Sequence, residues 1–298
     1  MGFMGCFFGD ITDHFKKAEG KSTHHHIRNI DFIYMINLDE RPEKWEMSYR
    51  QLELYEIYPY RFSAVNGWHL TLEDINDVGV KFKHGMDSGF RTSSFGFGDN
   101  FKRTDDELLG KEGQVYFVHC MARGTIGIAL SHLSVLQDAY DSGYETIWVM
   151  EDDIKVFSDP RKVSDLIEEL DQLVGKNNWD ILFTDRDIRD KNGDYIPSLG
   201  MARCPNFNPL DKSQYYIKKQ INKNFYQVGS RFGATSMIIR RSGMEKILNF
   251  IKTYKIYLPY DMLYYLPQGI RFYTVAQDIV SNKAKAISDN GKPNYLNK

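Results

Sequence analysis

The chain has 298 residues, with 38 Lys and Arg against 40 Asp and Glu, for a formal net charge of -2. That balance lacks the basic surplus of a non-specific nucleic-acid binder. No uncharged apolar run approaches the roughly 18 residues of a membrane-spanning helix. The composition is otherwise ordinary for a globular protein except for its aromatic content of 14%, which leaves core and sugar-stacking surface both open. Three scattered cysteines, Cys6, Cys120 and Cys204, suit neither a disulfide framework nor a thiolate zinc site. There is no Asn-x-Ser/Thr acceptor and no basic leader ahead of the apolar start MGFMGCFFGD. The expectation is a reduced, cytoplasmic compartment with at most peripheral membrane contact.

Residues 1–30 read as an extension of one domain spanning 31–298. Within it Met4, Phe7, Phe8, Ile11 and Phe15 share one face of a short helix, which either docks on the domain or rests on a membrane surface. The run His24-His25-His26 reads as linker. From residue 31, strands and helices alternate. DFIYMINL (31–38) is a dense apolar strand, Pro42 opens a helix to about Tyr58, and RFSAV (61–65) is a second strand ending in Asn66-Gly67. A polar, Gly-rich stretch at 85–113 is too long for a routine connection. A helix over 125–141, the strand ETIWVM (145–150), a helix over 161–174 closed by Gly175 and the strand WDILFT (179–184) follow. Residues 186–230 read as a second long, irregular loop. The strand ATSMIIR (234–240) precedes a helix over 243–253, headed by the capping-box pattern Ser242-x-x-Glu245. A short helix near 261–266 and the strand IRFYTV (270–275) complete the core before a Lys/Asn-rich tail. This alternation predicts an α/β fold with a mostly parallel central sheet flanked by helices.

Glu151-Asp152-Asp153 follows the strand ETIWVM directly. In open α/β sheets ligands sit beyond the carboxyl ends of the strands. Carboxylates gathered there without Cys or His suit a hard divalent ion, Mn²⁺ or Mg²⁺, able to clamp a diphosphate. A solvated strand-to-loop corner is the plain alternative. Asp185 and Asp187 stand at another strand end as base, further metal ligands, or partners of Arg186 or Arg189 in a loop salt bridge.

Six blocks in order make the chain resemble glycosyltransferase family 25, from Ile33 to about Asp289. They are YMINLDERPEKW, RFSAVNG, GTIGIALSHLSVLQ, VMEDDI, RFGATSMIIRRSGMEKIL and LPYDMLY. The resemblance implies a Rossmann-like glycosyltransferase A fold and an inverting transfer of a hexose, galactose above all. The donor it implies is a UDP-sugar and the acceptor a glycan, such as a lipopolysaccharide precursor, or a protein hydroxyl. Glu151 and Asp153 would hold Mn²⁺ (or Mg²⁺), with Asp152 beside the donor. Asn37, Leu38 and Arg41 end the first strand, where a nucleotide would lie, and Arg41 could meet a phosphate or ribose or simply precede the helix. Asn66 and Gly67 could approach the nucleotide through backbone groups or form only a turn. Ser131 and His132 are implied near the donor, although a buried helix His bonded to backbone would read the same. Asp261 is the candidate base for the acceptor hydroxyl, and could equally N-cap the short helix after it.

Departures from the family pattern are Thr125 and Ile128, where Glu and Cys are usual, Lys44 in place of Arg, and TDRD (184–187) after WDILF. They leave two other readings open. One is a metal-dependent phosphodiesterase or nucleotidyltransferase, with Asp185 and Asp187 supplying a second carboxylate group. The other is a degenerate transferase that binds a nucleotide sugar without turnover. Acceptor choice falls to the two long loops, whose aromatic residues (Phe90, Phe95, Phe97 and Phe101, then Phe207, Tyr215, Tyr216, Phe225 and Tyr226) would form a stacking platform.

Overall fold

A computed structural model describes residues 9–22, 27–92, 107–187 and 203–297. The first half runs β1 (Phe32–Asn37), α1 (Pro42–Glu53), β2 (Tyr60–Ser63), α2 (Leu72–Val78), and the two-residue strands β3 (Val80–Lys81), β4 (Arg91–Thr92), β5 (Glu107–Leu108) and β6 (Val115–Tyr116). Then come α3 (Arg123–Asp141), β7 (Thr146–Glu151), β8 (Ile154–Val156), α4 (Val163–Val174) and β9 (Ile181–Phe183). The chain continues with β10 (Lys218–Gln220), β11 (Phe225–Val228), β12 (Ser236–Arg240), α5 (Arg241–Tyr254), α6 (Tyr260–Leu263), β13 (Phe272–Val275) and β14 (Val280–Asn282).

Eight strands form one sheet in the order β10-β11-β13-β9-β12-β7-β1-β2. Following the pairings from β2, six of the eight point the same way and β12 and β11 run against them. The expected α/β architecture is therefore present, with two reversed strands inside a sheet of largely common direction. Every residue of β1 is buried, which is what a strand covered on both faces requires. Its side chains alternate between two cores. Phe32, Tyr34 and Ile36 join Ile147 and Val149 of β7 under α3 and α5. Ile33 and Met35 join Trp148 and Met150 under α1 and α4. α3 is buried almost all round, from Gly124 to Ala139, as a helix wedged between other elements should be.

Several expected details change. The helix opened by Pro42 stops at Glu53, and Leu54–Glu56 turn. The capping box at Ser242 does not form. α5 starts at Arg241 without a side-chain cap, and the Ser242 hydroxyl donates to Asp180 Oδ1 at 2.6 Å instead. Residues 186–230 are less irregular than expected, since β10 and β11 form a hairpin that extends the sheet. The first long stretch carries the small ladder β4–β5, and its residues 93–106 lie outside the described ones, as do 188–202.

The supposed aromatic platform is mostly core. Tyr215 and Phe225 are buried, Phe207 packs edge-on to Phe250 at 5.0 Å, and Phe90 meets Tyr116 edge-on at 5.3 Å. Tyr216 alone of the described set is exposed. Phe95, Phe97 and Phe101 lie outside the described residues.

At the other end, the described part of the extension docks. Ile11 is buried and Phe15 packs on the main core. Lys16 Nζ bonds Ser63 Oγ and the Ala64 carbonyl at 2.7 and 2.8 Å. Met4, Phe7, Phe8 and His24-His25-His26 lie outside the described residues. Among the described residues no helix is long and apolar enough to cross a membrane, and Cys120 and Cys204 are not in disulfides.

Candidate active site

β1, β2 and β7 are parallel neighbours, so their carboxyl ends share one edge of the sheet. β12 runs the other way beside β7, which brings the residues before it to that same edge. There the Glu151 amide donates to the Thr235 carbonyl at 2.9 Å. The result is a cleft of about 240 Å³. Leu38, Asn66, Gly67, Ser131, His132, Glu151, Asp152, Asp153 and Asp261, all expected at the site, line it together. Asn37 and Arg41 do not.

The three carboxylates are held rather than solvated. Asn37 Nδ2 donates to Asp152 Oδ2 at 2.6 Å, and Ser48 Oγ donates to the Asp152 carbonyl at 2.6 Å. Burial pushes the Asp152 carboxyl up to about 6, against the pull of Lys44 and Asn37. Burial, then repulsion from Glu151 and Asp152, pushes Asp153 up to about 7. Asp153 Oδ1 is buried without a hydrogen-bond partner. Such an atom calls for a cation or donor from outside the chain. Glu151 Oε1 lies 3.1 Å from His132 Nε2. The His132 ring in turn stacks on Tyr260, with centroids 4.2 Å apart and an 8° tilt. His132 is thus bonded to a site carboxylate and not to backbone through this nitrogen.

Asp261 reaches the cleft from α6. It is not the helix N-cap, which is Pro259. Its Oδ2 accepts the Gly233 N–H at 3.0 Å. Burial, and secondly the Glu151 charge, raise its carboxyl above the usual range although the Gly233 bond pulls the other way. Asn66 caps the short helical turn Gly67–His69, its Oδ1 accepting from Trp68 N–H. Gly67 serves close packing: a Cβ there would fall 1.8 Å from the Arg123 carbonyl oxygen. Gly127 of α3 has the mirror constraint, since its Cβ would meet Gly67 N at 2.4 Å. Ser131 Oγ donates to the Gly127 carbonyl and accepts from Val65 N–H at 2.8 Å, which fastens the helix to the same loop.

Two expectations are corrected. Arg41 does not face a ligand: its guanidinium is buried and bonded to both oxygens of Asp289 at 2.5 and 2.6 Å and to Glu43 at 2.8 Å. Asp185 and Asp187 are not paired with Arg186, and Arg189 lies outside the described residues. Asp185 pairs with Arg231 at 3.0 Å, Asp187 with Lys218, and Arg186 with Asp278.

Asp289 and the tail around it had no sequence signal. Ser288, Asp289 and Asn290 line the cleft. Lys44 Nζ also reaches Asp289 at 3.0 Å, and Trp68 Nε1 donates to its carbonyl at 2.9 Å. Lys44, two residues beyond Pro42, could have been picked out as a basic residue near the nucleotide end. A partner 248 positions from Arg41 could not.

An α/β sheet with clustered carboxylates beyond its strand ends and a further carboxylate on a separate element defines a class of proteins that bind ligands at the carboxyl edge. The chain belongs to glycosyltransferase family 25, whose model, described as "Glycosyltransferase family 25 (LPS biosynthesis protein)", matches residues 30–264. It is 26% identical over 160 residues to a glycosyltransferase 25 family member of Aedes aegypti, covering 53% of this chain and 21% of that one. The same shares apply to procollagen galactosyltransferase 2 of Mus musculus, 26% identical over 158 residues. The inactive glycosyltransferase 25 family member 3 of Homo sapiens is 25% identical over 158 residues, with 53% and 22% covered. The chain thus spans about a fifth of the length of these relatives. The family match ends before the tail that supplies Asp289.

Proposed function

We propose that the chain is an inverting, divalent-cation-assisted hexosyltransferase, moving a hexose such as galactose from a UDP-sugar to a hydroxyl of a glycan or protein. The observation that carries this reading is the meeting, in one cleft, of the 151–153 carboxylates with Asp261 from α6. Glu151 and Asp153 fit an Mn²⁺ or Mg²⁺ ion. The orphaned Asp153 oxygen needs a partner, and such ions are held by one or two carboxylates together with substrate phosphates and water. When bound, the ion would neutralise charge on the departing diphosphate.

The chain's own residues do the rest. Asn37 orients Asp152, and His132, backed by the Tyr260 ring, orients Glu151. Asp261 accepts the acceptor hydroxyl proton as the hydroxyl oxygen bonds to the anomeric carbon. The bond to the diphosphate breaks and its electron pair leaves with UDP. A raised carboxyl pKa suits a base working near neutral pH.

Binding without turnover is a second reading. Thr125 and Ile128 line the cleft where the family pattern has Glu and Cys, and one human relative is named inactive. The phosphodiesterase reading loses its second carboxylate group, because Asp185 and Asp187 border a different hollow. A thermal-shift series of nucleotide sugars with and without Mn²⁺, followed by UDP-release assays, separates these. The transferase reading expects a UDP-hexose to raise the melting temperature in the presence of Mn²⁺ and to turn over with an acceptor. A shift without turnover favours the binder, and no shift with any nucleotide sugar refutes both.

A further inference from the structure

Asp185 and Asp187, beyond the end of β9, border a second hollow of about 270 Å³ together with Phe232, Asp278, Ser281 and Asn282. This hollow and the main cleft share Gly233 and Thr235 as a common wall. Asp261 holds the Gly233 N–H at 3.0 Å and lines the main cleft, so it stands where the two spaces adjoin. A base that deprotonates the acceptor has to touch the acceptor while the donor fills the cleft. The acceptor's place is therefore beside Asp261, and the second hollow begins at Gly233, the residue whose N–H Asp261 holds.

The walls of the hollow show what it would hold. Each carboxylate already has a cation: Asp185 has Arg231, Asp187 has Lys218, and Asp278 has Arg186. The surface is polar but compensated, so neither a cationic nor an anionic ligand is favoured. Two groups are left over. Asp187 Oδ1 is buried without a hydrogen-bond partner, and a buried acceptor in that state gains from a hydroxyl donor. The Phe232 ring is half-buried at the edge of the hollow, which suits the apolar face of a pyranose. Hydroxyl donors around a ring with one apolar face describe a neutral sugar.

We propose that this hollow is the acceptor subsite and that it takes a neutral hexose unit, one hydroxyl of which reaches past Gly233, at the border of both spaces, to Asp261. The proposal rests on the transferase reading for the role of Asp261. As a subsite for neutral sugar it can be tested without turnover.

The test is saturation-transfer NMR on the full chain with UDP and Mn²⁺ present. The probes are lactose and methyl glucoside, with glucosamine and glucuronate as charged counterparts. Lactose or methyl glucoside should give signals that the charged sugars do not match. Phe232→Ala should weaken that binding about fivefold or more, with the UDP signal unchanged. Asp187→Asn should do the same, and a melting curve shows whether it folds; Phe232→Ala serves where it does not. Neutral-sugar signals unaffected in the folded variants, preference for a charged sugar, or UDP binding without any sugar signal would overturn the subsite. Sugar signals that depend on Phe232 in a chain that ignores UDP would leave the subsite standing and remove the transferase reading.

Discussion

Removing the charge of Asp153 should make the cation-free protein more stable, not less. Burial first, then Glu151 and Asp152, push this carboxyl from the usual 3.8 up to about 7. In the unfolded chain it ionises near pH 4. Between about pH 4 and pH 7 the folded state therefore keeps a proton that the unfolded state has lost. Stability falls as pH rises across that window and levels off above it. Taken at face value the cost at high pH is about 4 kcal/mol. Solvent in the open cleft and charge shared with Glu151 and Asp152 reduce this to about 2 kcal/mol. At about 2.1 cal/mol/K of unfolding entropy per residue, that corresponds to a melting difference of about 3 °C. The assay is thermal melting of the parent and Asp153→Asn in EDTA at a series of pH values, repeated with Mn²⁺. Without cation the variant's advantage should grow from about pH 4.5 to about pH 7.5 and stay constant above. With Mn²⁺ at pH 8 the parent should rise and the variant should not. A variant no more stable than the parent at pH 8 in EDTA, or equally raised by Mn²⁺, would refute the reasoning.

Asp261→Asn should lower the transfer rate by about 10²- to 10⁴-fold while UDP-sugar still raises the melting temperature; full rate would remove Asp261 as the base. Asp289→Ala leaves the buried Arg41 with Glu43 alone, and breaking a buried pair in this way costs about 3 kcal/mol or more. Urea denaturation should show it as a lower midpoint, and an unmoved midpoint would mean the tail is not clamped. Gly67→Ala places a Cβ 1.8 Å from the Arg123 carbonyl. The loop and helix must then separate, at a cost of about 1–3 kcal/mol, with weakened nucleotide binding. A variant with parental melting and nucleotide affinity would contradict that packing.

The central strands were legible because burial on both faces leaves an unbroken apolar run, as in DFIYMINL and ETIWVM. The carboxylates were legible by position, since a strand's carboxyl end is where such sheets place ligands. Their supports were not. Nothing local in Asn37 says that its amide will hold Asp152, and Arg41 could be seen as basic but not as already matched by Asp289. The hairpin β10–β11 escaped because an edge strand such as Lys218–Gln220 can be short and polar and still pair. Placing Tyr215 and Phe225 in a loop then made them look like surface, although both are buried. The Ser242 pattern failed for a related reason. The helix begins one residue earlier, at Arg241, so Ser242 lies inside the first turn instead of at the cap, and its hydroxyl donates to Asp180, which also holds Lys246 and Arg271.

The clamp between Arg41 and Asp289 joins positions 248 residues apart. That separation has a bearing on how the site comes into being. During synthesis, at about 5–20 residues per second, the β1–α1 unit waits at least ten seconds or so for the segment that closes over it. Until then Arg41 and Lys44 lack the Asp289 carboxylate and the cleft lacks one wall, so a half-made chain exposes an anion-attracting gap. Contacts of such long range form slowly and late. The carboxyl edge of the sheet is then the last part of the molecule to acquire its final shape, after the cores that support it.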